Sequence, residues 1–243
     1  PILDYGSGVW GSKQFGKIDT VQNRAIRVYL GVHAFAPNAA ITADIGWTSS
    51  HIRRKIEMLR LWNRMVKLDN NRVTKQIFEW DYSLKRNNWC SEVRNILESI
   101  GMENAFLNKE CVNLNMAWSK LYEMCCNEWV NNVQNYPKLR TYVQYKSDFG
   151  LEPYVSKLLS VRQRSVMARF RCGILPLEIE IRRYQTDQNR HRDICKICNK
   201  NVLEDELHFF FECDKYNIPR LLLFQNITKK VSNFRQFTNV EKL

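Results

Sequence analysis

The chain has 243 residues, 44% of them apolar, with 37 Lys and Arg against 25 Asp and Glu, which gives a net charge of +12 and a pI near 9.4. That apolar share excludes a chain too polar to build a core, and no apolar run approaches the roughly 20 residues a membrane-spanning helix needs, so a soluble protein is expected. The positive excess points to a polyanionic partner, nucleic acid before an anionic membrane surface.

The first segment, PILDYGSGVWG, carries no initiator Met and reads as the start of a piece of a longer protein. It is expected to form a short buried strand or extended segment over residues 2–10, broken by Gly6, Gly8 and Gly11. A helix follows over 17–30, where Ile18, Val21, Ala25 and Val28 recur at helical spacing and Gly31 sits at the C-cap. Pro37 opens a second helix that Gly46 stops, in APNAAITADIG. A long helix is expected over 50–68, with Ile52, Ile56, Leu59 and Val66 as its apolar stripe and Arg53, Arg54, Arg60 and Arg64 on other faces. A short helix near 75–80, one over 91–100 ended by Gly101, and a longer one over 109–134 ended by Pro137 complete this half.

Beyond residue 138 the pattern changes. A strand-like run over 141–145 precedes a helix over 152–171, on which Leu159, Val166 and Phe170 share one face. Arg162 and Arg169 lie at one margin of that face, with Arg164 and Arg171 on the far side. Between Lys157 and Arg192 nine basic residues (Lys157, Arg162, Arg164, Arg169, Arg171, Arg182, Arg183, Arg190 and Arg192) face three acids (Glu178, Glu180 and Asp187). Nine minus three is +6, half the net charge of the whole chain. Arginine's planar fork suits bidentate phosphate contact and stacking on bases, so these arginines are candidate nucleic-acid contacts. The bland alternative is a solvated helix face.

Eight cysteines are present, and no apolar export signal precedes them, so free, buried or metal-bound thiols are expected in place of disulfides. Cys90, Cys111, Cys125, Cys126 and Cys172 read as core fillers. The segment DICKICNKNVLEDELHFFFECDKY differs. Cys195 and Cys198 have two residues between them, and His208 and Cys213 follow with four residues between them. A CxxC turn aims two thiolates at one point, and His and Cys one turn apart can complete a tetrahedral Zn²⁺ site. With all four positions filled by the chain, such a zinc is structural. Lys196, Lys200 and Arg192 stand by to offset the site's negative charge, and Phe209, Phe210 and Phe211 to supply a small apolar core. The alternative is three buried thiols and a core histidine.

Taken together, PILDYGSGVWG, IDTVQNRAIRVYLGV, APNAAITADIG, the arginine-rich segment and the Cys/His module resemble the region downstream of the polymerase core in reverse transcriptases of non-LTR (LINE-type) retrotransposons, of the jockey and related clades. The resemblance spans most of residues 1–225. Cys195, Cys198, His208 and Cys213 match the terminal zinc-binding module of that family, as do Glu204 or Asp205 before the histidine and Tyr216 and Arg220 after it. It implies a region that grips element RNA or target DNA during target-primed reverse transcription, beside the remainder of the reverse transcriptase polyprotein, inside the cell and in the nucleus when part of the full-length protein. The departures are that no Asp-Asp pair occurs, that Asp44 stands where the family commonly has Glu, and that Ser49 stands near a usual Pro. The chain is therefore expected not to polymerise DNA by itself.

The expected architecture is mainly α, a multi-helix bundle with a few short strands and a small C-terminal CCHC zinc module. Its expected divisions are a thumb- or linker-like helical region over 1–137, the basic helix and zinc module over 138–225, and a tail over 226–243. The rival reading is a zinc-stapled helical module for protein–protein interaction. An enzyme is disfavoured, because His33 and His51 are isolated from any nucleophile or carboxylate at a catalytic spacing, and Glu178 and Glu180 are most simply neutralised by Arg182 and Arg183.

Overall fold

A computed structural model describes residues 3–84, 86–157, 159–184, 193–198, 200–239 and 242. It is mainly helical, as the periodicities require. The expected strands reduce, among the described residues, to one isolated antiparallel bridge between Ile194 and Leu203. The chain divides into two compact units, Pro1–Ala25 with Trp47–Trp129, and Ile26–Gly46 with Val130–Leu243. The expected boundary near Pro137 lies inside the second unit.

In the first unit the opening segment forms a helical turn, α1 (Ser7–Trp10), where a strand was expected. The glycines explain the difference. A Cβ on Gly11 would overlap the Arg54 backbone, and one on Gly8 would press within 3.2 Å of the Glu57 carbonyl, so this sequence lets α1 lie flat on α4 (Ser50–Val66). Ser49 caps α4, its hydroxyl accepting the His51 amide. The expected stripe is buried at Ile52, Ile56 and Leu59, joined by Met58 and Trp62. Arg54, expected to face outward, is fully buried. Its guanidinium donates to Ser50 Oγ (2.7 Å) and lies over the Trp10 ring.

The same core takes Phe78 from α5 (Val73–Ser83) and Cys90, Val93, Ile96 and Leu97 from α6 (Trp89–Ser99), followed by Phe106 of α7 (Glu103–Leu107). Asn88 and Ser91 form a capping box at the start of α6. Trp62 stacks on Phe106 and donates to the Glu110 carbonyl, which fixes the loop ahead of α8 (Leu114–Gln134). That helix starts five residues later than expected, because Lys109 takes a positive φ of 51° and Asn63 bonds both the amide and the carbonyl of Val112 outside any helix.

Helix α2 (Gly16–Leu30) forms where expected but turns a different face inward. Gln22, Ile26 and Leu30 are buried, while Val21 and Val28 are exposed. Gln22 donates to the Thr48 carbonyl and accepts from Arg53, so a polar residue takes the inner face with its hydrogen bonds satisfied.

In the second unit α3 (Asn38–Ile45) ends at Gly46 as expected. The run over 141–145 is a helical turn, α9 (Tyr142–Tyr145), in place of a strand. Its aromatics favour a strand in isolation, but Tyr142 Oη is needed by Asp44, and Tyr145 stacks on Phe170, so packing overrides propensity. The expected helix over 152–171 is two helices, α10 (Pro153–Ser156) and α11 (Val161–Arg171). The break is local chemistry, since Ser160 and Gln163 form a capping box that starts a new helix. On α11 Ala168 and Phe170 face inward, and Val166, expected on the inner face, is exposed. The turn after α11 requires Gly173, whose φ is +61° and whose Cβ would overlap the Lys138 carbonyl. Then come α12 (Glu178–Ile181), the Cys/His segment and α13 (Asn217–Thr228). Among the described residues no helix is long and apolar enough to cross a membrane.

Candidate metal centre and the arginine-rich segment

The CxxC pair sits on a minimal hairpin. The Cys195 amide donates to the Val202 carbonyl and the Glu204 amide to the Asp193 carbonyl, each at 2.8 Å, on either side of the Ile194–Leu203 bridge. Asn201 takes a positive φ of 56° to close the loop. The other pair comes from a π-helical turn, His208–Glu212. Asp205 Oδ1 accepts the His208 amide at 2.8 Å, and the Cys213 amide donates to the His208 carbonyl at 2.8 Å. That five-residue bond is the wide turn of a π-helix, and it sets Cys213 over His208.

All four ligand atoms lie within 4.8 Å of one another. Cys195 Sγ is 4.0 Å from Cys213 Sγ, and Cys198 Sγ is 3.4 Å from His208 Nε2. Metal–sulfur bonds of about 2.3 Å and metal–nitrogen bonds of about 2.0 Å imply tetrahedral edges of about 3.5–3.8 Å, so these side chains fit around one ion with small adjustment. Cys195, His208 and Cys213 are buried and Cys198 is partly exposed. Burial pushes the Cys195 thiol up to about 11, while the Lys200 backbone amide pulls the Cys198 thiol down. The cluster can hold a metal ion.

The surrounding residues lash this module to its own unit. Glu204 Oε2 accepts the Glu178 amide at 3.0 Å, and its Oε1 lies 3.6 Å from Cys195 Sγ. Glu206, buried, accepts from Arg140 Nη2 (2.7 Å) and Thr141 Oγ1 (3.1 Å). Arg220, on α13, donates to the carbonyls of Phe210 (2.6 Å) and Cys213 (2.7 Å) and so closes the C-terminal end of the π-turn, and Tyr216 packs edge-on against Phe209. The triplet of phenylalanines does more than floor a knuckle. Phe210 meets Phe170 and Phe211 meets Phe224, which continues the ring contacts into α11 and α13. Lys196 and Lys200, expected to offset the site's charge, are paired with Glu178 and Asp214.

The described arginines separate into four groups. Arg162 and Arg169 are exposed on α11, and neither guanidinium makes an ion pair among the described residues. Arg164 lies over Tyr29, its guanidinium carbon 4.2 Å from the ring centroid, and donates to that residue's carbonyl. Arg182 and Arg183 are paired with Glu178 and Glu180. Arg171, expected to contact phosphate, is instead turned inward. It holds Asp44 through two bonds, Nε to Oδ2 at 2.7 Å and Nη2 to Oδ1 at 3.0 Å, and reaches Glu152 at 3.2 Å. Asp44 is fully buried and also accepts from Tyr142 (2.9 Å) and Tyr154 (2.8 Å). The physical reason is charge balance, because a buried carboxylate needs a cation and α11 delivers Arg171 to it. Arg190 and Arg192 lie outside the described residues.

Sequence reasoning missed this Asp44 hub, because its partners lie 98 or more positions away along the chain. Comparison with protein-family models, curated proteins and solved structures gave no match.

Proposed function

We propose that the chain is a nucleic-acid-binding module stapled by a structural zinc ion at Cys195, Cys198, His208 and Cys213, and that it corresponds to the post-polymerase region of a non-LTR reverse transcriptase. The observation that carries this reading is the convergence of those four ligand atoms within 4.8 Å. Three thiolates and an imidazole suit zinc before harder cations. The ion supplies the positive charge that makes deprotonation of the buried Cys195 favourable. With every ligand supplied by the chain, no position is left for a catalytic water, so the metal's work is to hold the fold and not to react. Exposed Arg162 and Arg169, with Arg182 and Arg183 partly exposed behind their carboxylates, support contact with a phosphate backbone.

The test is metal content followed by binding. One zinc per chain is expected in the purified protein and none in Cys198→Ser, with affinity for RNA and for nicked duplex DNA falling steeply as salt rises. A metal-free yet stably folded protein would overturn the zinc reading, and an absence of binding to either nucleic acid at low salt would overturn the functional one.

One observation favours the protein-interaction reading. On α13 Ile218, Leu221 and Leu222 are exposed on neighbouring turns, an apolar row that nucleic acid does not explain. Leu221→Asp leaves RNA affinity unchanged if that row serves a protein partner, and weakens it if the row belongs to the nucleic-acid surface.

A further inference from the structure

Helix α4 has two faces of different chemistry. Ile52, Ile56, Leu59 and Trp62 are buried in the core of the first unit. The outer face carries Arg53, Arg60, Arg64 and Lys67, which follow one another at intervals of seven, four and three residues. At about 100° per residue those four positions fall within an arc of about 60° on the side of the helix opposite Trp62. Lys67 is the C-cap and keeps the αR conformation, so it continues the row. The Arg53 and Arg60 side chains are 41% and 64% exposed, and Arg64 and Lys67 are exposed as well.

Little on the protein neutralises this row. Glu57 is the acid nearest the arc along the helix, and its carboxylate lies 3.7 Å from Arg60 Nη1. Asp4 lies 3.6 Å from Arg53 Nε, and the same guanidinium donates to Gln22 through Nη2. Both ion pairs are longer than the roughly 2.7–2.9 Å of a charge-assisted hydrogen bond, so neither guanidinium is saturated by its carboxylate. Arg64 and Lys67 make no ion pair among the described residues. The helix dipole accounts for part of the pattern only. Cations in the last turn favour the negative C-terminal end, which suits Arg64 and Lys67, but Arg53 and Arg60 lie outside that turn.

We infer that the outer face of α4 is a phosphate-tracking ridge, in which Arg60, Arg64 and Lys67, with Arg53 at its upstream end, grip the phosphodiester backbone of a nucleic acid without regard to base sequence. This inference rests on the nucleic-acid reading above and adds to it a contact surface in the first compact unit, to which no residue of the arginine-rich segment belongs. At a rise of about 1.5 Å per residue, Arg60 and Lys67 stand about 10 Å apart, a length over which one strand of a duplex offers about three phosphates. Three cations therefore meet a similar number of anions. The arc carries no apolar side chain, whereas a protein partner would call for an apolar centre to the contact. It carries no aromatic ring or side-chain amide either, so it has nothing with which to stack on a base or read its edge.

The experiment measures binding of the full, metal-loaded chain to two short DNA duplexes of unrelated sequence and to a single-stranded RNA, across a salt series. On whichever of these the parent binds, Arg60→Gln, Arg64→Gln and Lys67→Gln are each expected to lower the salt slope, by about 0.9 on duplex and about 0.7 on single strand, and equally for the two duplex sequences. The triple variant is expected to lower it by about 2–3. Arg94→Gln is the control, because it removes one exposed charge of the same unit from a different helix, α6, and it should leave the slope unchanged. Circular dichroism melts confirm that each variant is folded. If the parent binds and the triple variant keeps the parent's slope, or if Arg94→Gln lowers the slope as much as a single ridge variant does, the ridge is wrong while the nucleic-acid reading stands. If the parent binds neither DNA nor RNA at low salt, that reading fails and the ridge with it.

Discussion

Replacing Asp44 by Asn tests whether the second unit is organised around a buried charge. The carboxylate accepts from Tyr142 and Arg171 Nη2 on Oδ1, and from Tyr154 and Arg171 Nε on Oδ2. Asparagine keeps the shape and one oxygen, but its amide must face one of those donor pairs. A tyrosine hydroxyl can rotate and accept, whereas a guanidinium N–H cannot, so at least one Arg171 donor loses its partner. Breaking one side of a buried ion pair costs about 3–5 kcal/mol. Glu152 remains 3.2 Å from Arg171 and the guanidinium is partly exposed, so the expected loss is about 2–3 kcal/mol. That is a large share of a total stability of about 5–15 kcal/mol. Urea titration followed by circular dichroism should show a lower midpoint with an unchanged slope, and a melting temperature lower by about 4–12 °C. A loss below about 0.5 kcal/mol, the scale of an ordinary surface substitution, would refute the idea that Asp44 anchors the unit.

Gly173→Ala should destabilise by at least about 1 kcal/mol, since it places a side chain at φ +61° and against the Lys138 carbonyl, and a neutral result in the same urea assay would show that the turn relaxes freely. Burial, and then Lys55 and Arg54, hold the His51 imidazole below its ordinary 6.5, so the unfolded chain binds that proton more readily than the folded one. The resulting stability is fully present above about pH 6.5 and is lost as the pH falls through the lower folded value, so His51→Gln should flatten the stability profile between about pH 7 and 5. A profile identical to the parent's would remove His51 from the account. Adding a chelator to the metal-loaded protein should expose 193–216 to a protease while the far-ultraviolet helical signal persists, and unchanged resistance would contradict a structural metal.

Much of the site was legible in the sequence because it is local. Cys195, Cys198, His208 and Cys213 fall within nineteen consecutive positions, and a hairpin plus one wide helical turn is enough to converge them. Helix existence was also legible, because Gly31, Gly46 and Gly101 stop helices wherever they occur. The faces were less so. On α2 the apolar spacing of Val21 and Val28 suggested an inner stripe, yet the inner face carries Gln22. Its bonds to Thr48 and Arg53 come from residues some thirty positions away, which no local pattern encodes. The strands expected at 2–10 and 141–145 failed for the same reason, since close backbone packing at Gly8 and Gly11 and the Asp44 hub outweigh local β propensity. The break at Ser160 was readable, as Ser-x-x-Gln is a helix-start signature in its own right.

The acids between the two ligand pairs explain how a metal can matter beyond its own loop. Glu204 touches both a ligand, Cys195, and the first amide of α12, while the carboxylate of that same residue, Glu178, holds Arg182 and Lys196. Glu206 reaches Arg140, which also binds Glu180, the partner of Arg183. These contacts involve buried or partly buried carboxylates, so misplacing the hairpin around the Ile194–Leu203 bridge would take Lys196 from the Glu178 carboxylate and Glu204 from the Glu178 amide, loosening the turn that carries Arg182 and Arg183. Arg182 and Arg183 are thereby linked to the Cys/His cluster through carboxylates. The exposed pair on α11, Arg162 and Arg169, stands outside that chain of contacts, and loss of the metal should disturb the former before the latter.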